Sequence, residues 1–175
     1  MKTILVTILL MAINITIAQN LEYNSKTDKM EIKHIVEVDS ISAGDLYSIG
    51  KKWIKKTYSN PSSVIKSDIE FEMIRGNGAV IDGIKFKAGN GTLKYIFTFD
   101  FKENKVRLVY TDFTIRLNAG TYPAKFYFYK KNGDKRKESS QSTAVKYGIE
   151  SNILSLIKDF ENTLKYGFDD SGDDW

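Results

Sequence analysis

The chain has 175 residues and no cysteine, which excludes disulfides and thiol chemistry. Its 42% hydrophobic and 13% aromatic content is typical of a globular domain and excludes a disordered chain. The net charge is +4, and four of the 22 acidic residues lie among the last seven positions, so the rest of the chain is more basic. This excess of positive charge fits either an acidic ligand or an ordinary lysine-rich surface.

The first 18 residues have the pattern of a secretory signal peptide. Lys2 gives a positive start, residues 4–17 are almost wholly apolar, and Thr16 and Ala18 place small side chains before a cut at Gln19. This run is shorter than the about twenty apolar residues that a membrane-spanning helix needs, and no later segment is long and apolar enough. We therefore predict an exported protein, periplasmic or extracellular, without a transmembrane segment.

A linker, a strand and an amphipathic helix follow. Residues 19–28 are predicted to be an N-terminal linker, and the alternation from Lys29 to Asp39 predicts a half-buried strand. Ser42, with Asp45 three residues later, predicts the start of a helix, and Asn60-Pro61 predicts its end. One stripe at helical spacing consists of Leu46, Ile49, Trp53 and Thr57, and it is widened by Tyr47, Ile54 and Tyr58.

The segment over residues 65–117 predicts an antiparallel meander with one apolar face. We expect turns at Gly76-Asn77-Gly78, at Asp82-Gly83 and at Gly89-Asn90-Gly91, because these residues favour tight connections. The alternation slips by one position near Thr111-Asp112, which predicts a bulge.

An aromatic run over residues 122–129 leads into a polar, basic loop over 130–142, which we predict to be exposed and mobile. A second helix is predicted from the spacing of apolar residues between Ile149 and Leu164, with Gly167 as its stop signal. The order of strand, helix, meander and helix predicts one α+β domain, a curved antiparallel sheet with two helices packed on one face.

The predicted domain covers residues 29–168, and residues 169–175 form an acidic tail that we predict to be disordered. Three roles stay open for the tail. It is an inert extension, a recognition tag through Trp175, or a segment that folds back on Lys130 to Lys137 and competes with acidic ligands.

From about Lys29 to Leu117 the chain resembles a family of exported proteins from Bacteroidetes-type bacteria. The family is domain of unknown function 4468, described as having a TATA-binding-protein-like (TBP-like) fold. The resemblance implies that fold and no activity, cofactor or catalytic residue. Sharing a fold with a DNA-binding protein does not imply DNA binding, because function lies in the site. The matching residues are Val36-Glu37-Val38, Ser42, Leu46-Tyr47, Trp53-Ile54, Tyr58, Val64-Ile65, Ile74 to Gly78, Tyr95 to Phe101 and Val106 to Arg116.

The sequence shows no catalytic or metal-binding constellation. His34, the one histidine, lies on the apolar side of the first strand, where we expect a hydrogen-bonded core residue. No Cys, His or carboxylate cluster has zinc spacing, and the acidic tail lacks the spacing of a calcium loop. Glu70 and Glu72 are predicted to share a strand face about 7 Å apart, which suits glycoside hydrolysis. A carboxylate-dependent hydrolase is therefore the alternative function.

The leading prediction is an exported, non-catalytic binding or envelope-associated module that uses the open sheet face and the basic loop. Aromatic rings beside positive charge suit an acidic glycan or single-stranded nucleic acid, and we favour an acidic glycan or an envelope protein over nucleic acid. Alternation around Phe126 and Phe128 also fits a core-facing strand. The predicted ligand surface comprises Tyr127, Tyr129, Lys130, Lys131, Lys135, Arg136 and Lys137.

The leader yields a testable prediction. Because Ala18 supplies the small residue that signal peptidase requires before its cut, the exported protein should begin near Gln19. Mass spectrometry of the exported protein would show the corresponding loss of mass. A chain that starts at Met1 and stays in the membrane fraction would contradict the prediction.

Overall fold

A computed structural model describes residues 20–168, so the predicted signal peptide and acidic tail lie outside the described residues. No helix in residues 20–168 is long and apolar enough to cross a bilayer. The elements in chain order are β1 (Glu22–Asn24), β2 (Lys29–Glu37), α1 (Ala43–Thr57), the single turn α2 (Pro61–Val64), β3 (Ile65–Ile69), β4 (Met73–Phe86), β5 (Gly89–Lys102), β6 (Lys105–Leu117), β7 (Gly120–Pro123), a 3₁₀ turn (Ala124–Tyr127) and α3 (Ser140–Tyr166).

The seven strands form one sheet in the order β1-β2-β6-β5-β4-β3, with β7 paired to the far part of β6. Every neighbouring pair is antiparallel. Both long helices, α1 and α3, pack on the apolar face. This confirms the predicted α+β architecture. The largest side chains buried at less than 2% exposure include Tyr110, Phe97, Phe99, Phe160 and Ile32.

An aromatic cluster joins the two helices to the middle of the sheet. The Trp53 ring of α1 lies 5.7 Å from the Phe99 ring of β5 and 5.4 Å from the Phe160 ring of α3, measured between centroids. Trp53 is 2% exposed, and its Nε1 donates a hydrogen bond of 2.7 Å to Asp159 Oδ2. The predicted inward face of the first helix is therefore confirmed.

His34 is a hydrogen-bonded core residue, as predicted. Its side chain is 2% exposed, and Nε2 lies 2.6 Å from Glu161 Oε1 on α3. Since a buried polar group without a partner is costly, this contact explains how a histidine is accommodated on the apolar face of β2.

The predicted turn at Gly76-Asn77-Gly78 is wrong, because this segment lies inside β4. Gly76 pairs with Phe97, and Gly78 pairs with Tyr95 on β5. A Cβ at position 76 would lie 2.5 Å from Phe97 Cζ, and one at position 78 would overlap the Tyr95 ring. The two glycines leave room for aromatic rings of the neighbouring strand, which is a use of glycine inside a sheet rather than at a turn.

The predicted hairpin turn at Asp82-Gly83 is also wrong, since β4 passes through it as a bulge. The register shifts between Val80 and Ile84, and Asp82 has a φ of 55°. The turn between β4 and β5 lies two residues before the expected Gly89 to Gly91, because Phe86 pairs with Gly89 and leaves Lys87 and Ala88 to make the connection.

Glu70 and Glu72 do not share a strand face. Both belong to the turn that connects β3 to β4, which closes with a hydrogen bond of 3.0 Å from the Glu72 amide to the Ile69 carbonyl. Phe71 between them has a φ of 63°, and its ring packs edge-on against Tyr47 of α1 at 5.6 Å. Residues 70–72 therefore form a turn that packs against α1, and not the strand that the alternation predicts.

Two further features bear on the sequence predictions, a bulge in β6 and the end of α1. The bulge near Thr111-Asp112 is confirmed, with a φ of 53° at Asp112 and a register shift opposite Lys94 to Ile96. Helix α1 ends at Thr57, and Asn60-Pro61 begins the separate turn α2, in which the Ser63 amide donates to the Asn60 side chain. The predicted end of the first helix is therefore the start of another helical turn.

The segment over residues 19–28 is not simply a linker, because it contains β1. Glu22–Asn24 pairs with β2, and the Leu21 amide donates a hydrogen bond of 3.1 Å to Glu150 Oε1 on α3. The Tyr23 ring stacks on Tyr129 with 4.3 Å between the centroids. These contacts add the segment to the edge of the sheet, which corrects the linker prediction.

Gly78→Ala tests the close approach of β4 and β5. Alanine normally stabilises a strand relative to glycine, but here its Cβ would overlap the Tyr95 ring. We expect the free energy of unfolding to fall by about 1–3 kcal/mol in urea titrations. Gly44→Ala is the control, since its nearest contact is an ordinary 3.5 Å to Phe71, and it should raise stability by about 0.4–1 kcal/mol.

Tyr110→Phe tests a hydroxyl that the core leaves unsatisfied. Tyr110 is fully buried, and its hydroxyl has no partner in the described part of the chain, whereas the Tyr58 and Tyr95 hydroxyls lie 3.1 Å apart. We expect Tyr110→Phe to raise the free energy of unfolding by up to about 1–3 kcal/mol and Tyr95→Phe to lower it by about 0.5–1.5 kcal/mol. Loss of stability in Tyr110→Phe would instead reveal a partner such as a buried water.

Candidate functional site

The basic loop is folded as a small hairpin, here called the basic hairpin, over residues 129–137. Tyr129 and Lys135 form an isolated β-bridge. The Arg136 amide donates to the Phe128 carbonyl at 2.7 Å, and the Lys130 amide donates to the Asp134 carbonyl at 2.8 Å. The backbone of the hairpin is thus hydrogen-bonded, while its side chains over residues 130–137 are exposed.

Helix α3 begins directly after the hairpin, earlier than predicted. Ser139 accepts a hydrogen bond of 3.1 Å from the Ser142 amide, and Ser142 Oγ accepts one of 2.8 Å from the Ser139 amide. This reciprocal arrangement is a capping box, which satisfies amide groups that a helix start leaves free. The loop therefore ends at Ser139, three residues before its predicted end at Ser142.

The aromatic run is not a core-facing strand. Strand β7 ends at Pro123, and a 3₁₀ turn over Ala124–Tyr127 follows, with Ala124 fully buried. Tyr122 is 40% exposed and Phe126 is 38% exposed, so both rings lie at the surface. The side chains of Tyr127 and Phe128 are half-buried. The run therefore supplies both core contacts and exposed rings.

Tyr127 lies where three grooves meet. The inner groove, of about 380 Å³, lies between β1, the basic hairpin and α3. The outer groove, of about 480 Å³, is lined by Tyr122, Phe126, Tyr127, Lys130, Arg136 and Lys137. The tip groove, of about 650 Å³, lies between the turns at the ends of β4 and β6 and the start of α3, and its lining includes Lys85, Phe86, Lys87, Asn118, Tyr127 and Gln141.

The basic hairpin is rich in positive charge that the described protein does not neutralise. Lys130 approaches Asp134 at 4.0 Å, and Arg136 Nε donates to the Tyr129 carbonyl at 3.1 Å. Lys131, Lys135 and Lys137 make no ion pair within residues 20–168. Positive side chains held together without acidic partners attract an anionic ligand.

The inner groove has a different electrostatic character. Tyr23, which lines this groove, donates a hydrogen bond of 2.6 Å to Asp28 outside the lining, and Lys125 forms an ion pair with the same carboxylate. The bond from Lys125 lowers the pKa of Asp28, and the bond to Asp28 raises the pKa of Tyr23. Glu138 lines the same groove, so the positive charge there is partly balanced.

The structure brings six of the seven predicted surface residues to the grooves around Tyr127. Tyr129 and Lys135 line the inner groove, Lys130 and Lys137 line the outer groove, and Arg136 lines both. Lys131 lies on the hairpin and lines none of these three grooves. Burial, and then the neighbouring Tyr122, raise the pKa of Tyr127, so its hydroxyl stays protonated at neutral pH.

Two aromatic residues and two lysines that line these grooves were not part of the predicted surface. Tyr122 and Phe126 line the outer groove and belong to the aromatic run, so that run is a signal that could have identified them. Lys85 and Lys87 line the tip groove and come from the end of β4 and the turn after it. Nothing in their local sequence distinguishes these lysines from others on the surface.

The remaining surface offers less convergent chemistry. A groove of about 790 Å³ lies at the carboxyl ends of α1 and α3, where Asp159 already binds Trp53 and Phe168, the last described residue, forms one wall. On the open sheet face Arg107 pairs with Asp100 at 3.0 Å. Within residues 20–168, no group of three or more His, Asp or Glu is placed to hold a metal ion.

Comparisons with known proteins give a family match and the fold. Residues 33–116 match a domain of unknown function, DUF4468, with a TBP-like fold. The crystal structure of a TBP-like protein from Parabacteroides distasonis is similar, with a TM-score of 0.59, 15% identity, and coverage of 80% of this chain and 97% of that chain. No curated protein matches the sequence.

A second similar crystal structure is that of a DUF4468 family protein from Bacteroides ovatus. Its TM-score is 0.60 with 12% identity, and the alignment covers 81% of this chain and 90% of that chain. At these identities the likeness concerns the fold alone. The basic hairpin and α3 lie outside the segment that matches the family, whereas Lys85 and Lys87 of the tip groove lie inside it.

Proposed function

We propose that this chain, whose residues 33–116 match the DUF4468 family with a TBP-like fold, is an exported, non-catalytic binding module whose ligand surface is the basic hairpin. The observation that supports the proposal is the set of lysines on a hydrogen-bonded hairpin that lack acidic partners within residues 20–168. The ligand is anionic, because only an anionic ligand would gain from this concentration of charge.

The aromatic rings beside the hairpin favour a ligand with flat or apolar faces as well as negative charge. Tyr122 and Phe126 are about 40% exposed and share the outer groove with Lys130 and Lys137. Exposed rings next to cations suit a ligand that stacks on the rings and pairs with the cations at the same time. An exported protein meets acidic glycans and envelope proteins, which are the partner classes that we propose.

Charge removal from the basic hairpin tests the proposal. We expect the triple variant Lys131→Gln, Lys135→Gln and Lys137→Gln of the mature chain to bind heparin, used as an acidic-glycan probe, about tenfold to hundredfold more weakly at low salt. Each exposed charge contact contributes about 0.5–1 kcal/mol, and three are removed. The measurement is the dissociation constant by calorimetry, repeated at moderate salt, where the difference should shrink.

A charge-matched variant separates a site from general attraction. Lys66→Gln, Lys102→Gln and Lys105→Gln removes the same charge from exposed lysines on β3 and around the β5–β6 turn, which also lack ion pairs in the described part of the chain. We expect it to weaken heparin binding by less than about twofold to threefold. Equal losses in the two variants would show that net charge alone governs binding and would refute a site at the hairpin.

A further inference from the structure

We propose that the outer groove and the tip groove form one continuous trough for a linear acidic polysaccharide, with Lys85 and Lys87 as its second cationic end. This inference rests on the proposed function and extends it by naming the ligand class and a second set of residues. The trough would hold a chain that runs from the basic hairpin, past Tyr127, to the turn between β4 and β5.

The two grooves adjoin because they share lining residues. Tyr127 and Gln141 line both, so the outer groove and the tip groove meet at these two side chains. Their volumes of about 480 and 650 Å³ are each of the size that holds a small ligand, and a single long ligand would occupy both.

Positive charge stands at both ends of the trough. Lys130 and Lys137 line the outer groove, and Lys85 and Lys87 line the tip groove. Within the described residues, neither groove is lined by an Asp or Glu, and Lys85 and Lys87 make no ion pair. Cations supplied by two separate segments suit a ligand whose negative charges repeat along its length.

The neutral lining favours a glycan over a nucleic acid. Asn90, Asn118 and Gln141 line the tip groove, and their side-chain amides make no hydrogen bond to any of residues 20–168. An amide both donates and accepts hydrogen bonds, as sugar hydroxyls do, whereas backbone phosphates only accept them. The exposed rings of Tyr122 and Phe126 offer faces on which the apolar side of a sugar ring can pack.

The test uses the full mature chain and a heparin-derived octasaccharide. We expect Lys85→Gln with Lys87→Gln to weaken octasaccharide binding about fivefold to thirtyfold, because two exposed charge contacts are lost. Lys66→Gln with Lys102→Gln, which removes equal charge elsewhere, should change it by less than about twofold. Unchanged unfolding temperatures of all variants, compared with the unsubstituted chain, show that the substitutions leave the fold intact.

The outcomes separate this inference from the proposed function. If the hairpin variant weakens octasaccharide binding and the Lys85/Lys87 variant does not, the trough is refuted and the hairpin site stands. If neither variant differs from its charge-matched control, both are refuted. If single-stranded oligothymidylate with the same number of charges binds as tightly as the octasaccharide at the same salt, the glycan assignment is refuted. A loss in the Asn118→Ala variant for octasaccharide, without a loss for oligothymidylate, supports it.

Discussion

The close approach of α3 to the bulge in β4 is the constraint on which the arrangement of this molecule depends. A Cβ at Gly148 would lie 2.6 Å from Ile84 Cδ1 and 2.8 Å from the Gly83 carbonyl oxygen. One helical turn later, Asn152 Nδ2 donates to that same carbonyl at 2.9 Å. The helix can therefore lie this near the sheet only because position 148 has no side chain, and the bulge turns a backbone acceptor towards it.

This contact also positions the grooves. Gly148 is two helical turns from the start of α3, so packing it against β4 brings Gln141 to the end of that strand. Phe86 on the same strand then faces Tyr127, with their rings at 6.3 Å and nearly parallel. At the other end of the helices, the cluster around Trp53 holds α1 and α3 together over the sheet. The surface near Tyr127 therefore depends on how α3 packs against β4.

The parts of this fold that repeat locally could be predicted from sequence, and the parts set by pairing between strands could not. Alternating residues in β5 and the capping residue Ser42 carry their own signal, and the structure agrees with both. The glycines at 76 and 78 suggest a turn until the register places aromatic rings over them, and that register is a long-range property. Likewise, the lysines of the basic hairpin lie close together in the sequence. Lys85 and Lys87 reach the grooves around Tyr127 only because α3 packs against β4.

The length of α3 separates the basic hairpin from the last described residues. Arg136 of the basic hairpin shares the inner groove with Lys146, and from Lys146 to Tyr166 the helix spans about 30 Å. The tail begins after Phe168, and the six residues from there to its last acid, Asp174, extend at most about 21 Å. The tail itself lies outside the described residues, but its start is at the opposite end of the helix from the hairpin. The helix thus sets the distance that a fold-back of the tail onto the basic hairpin would have to cover, and that role stays a prediction.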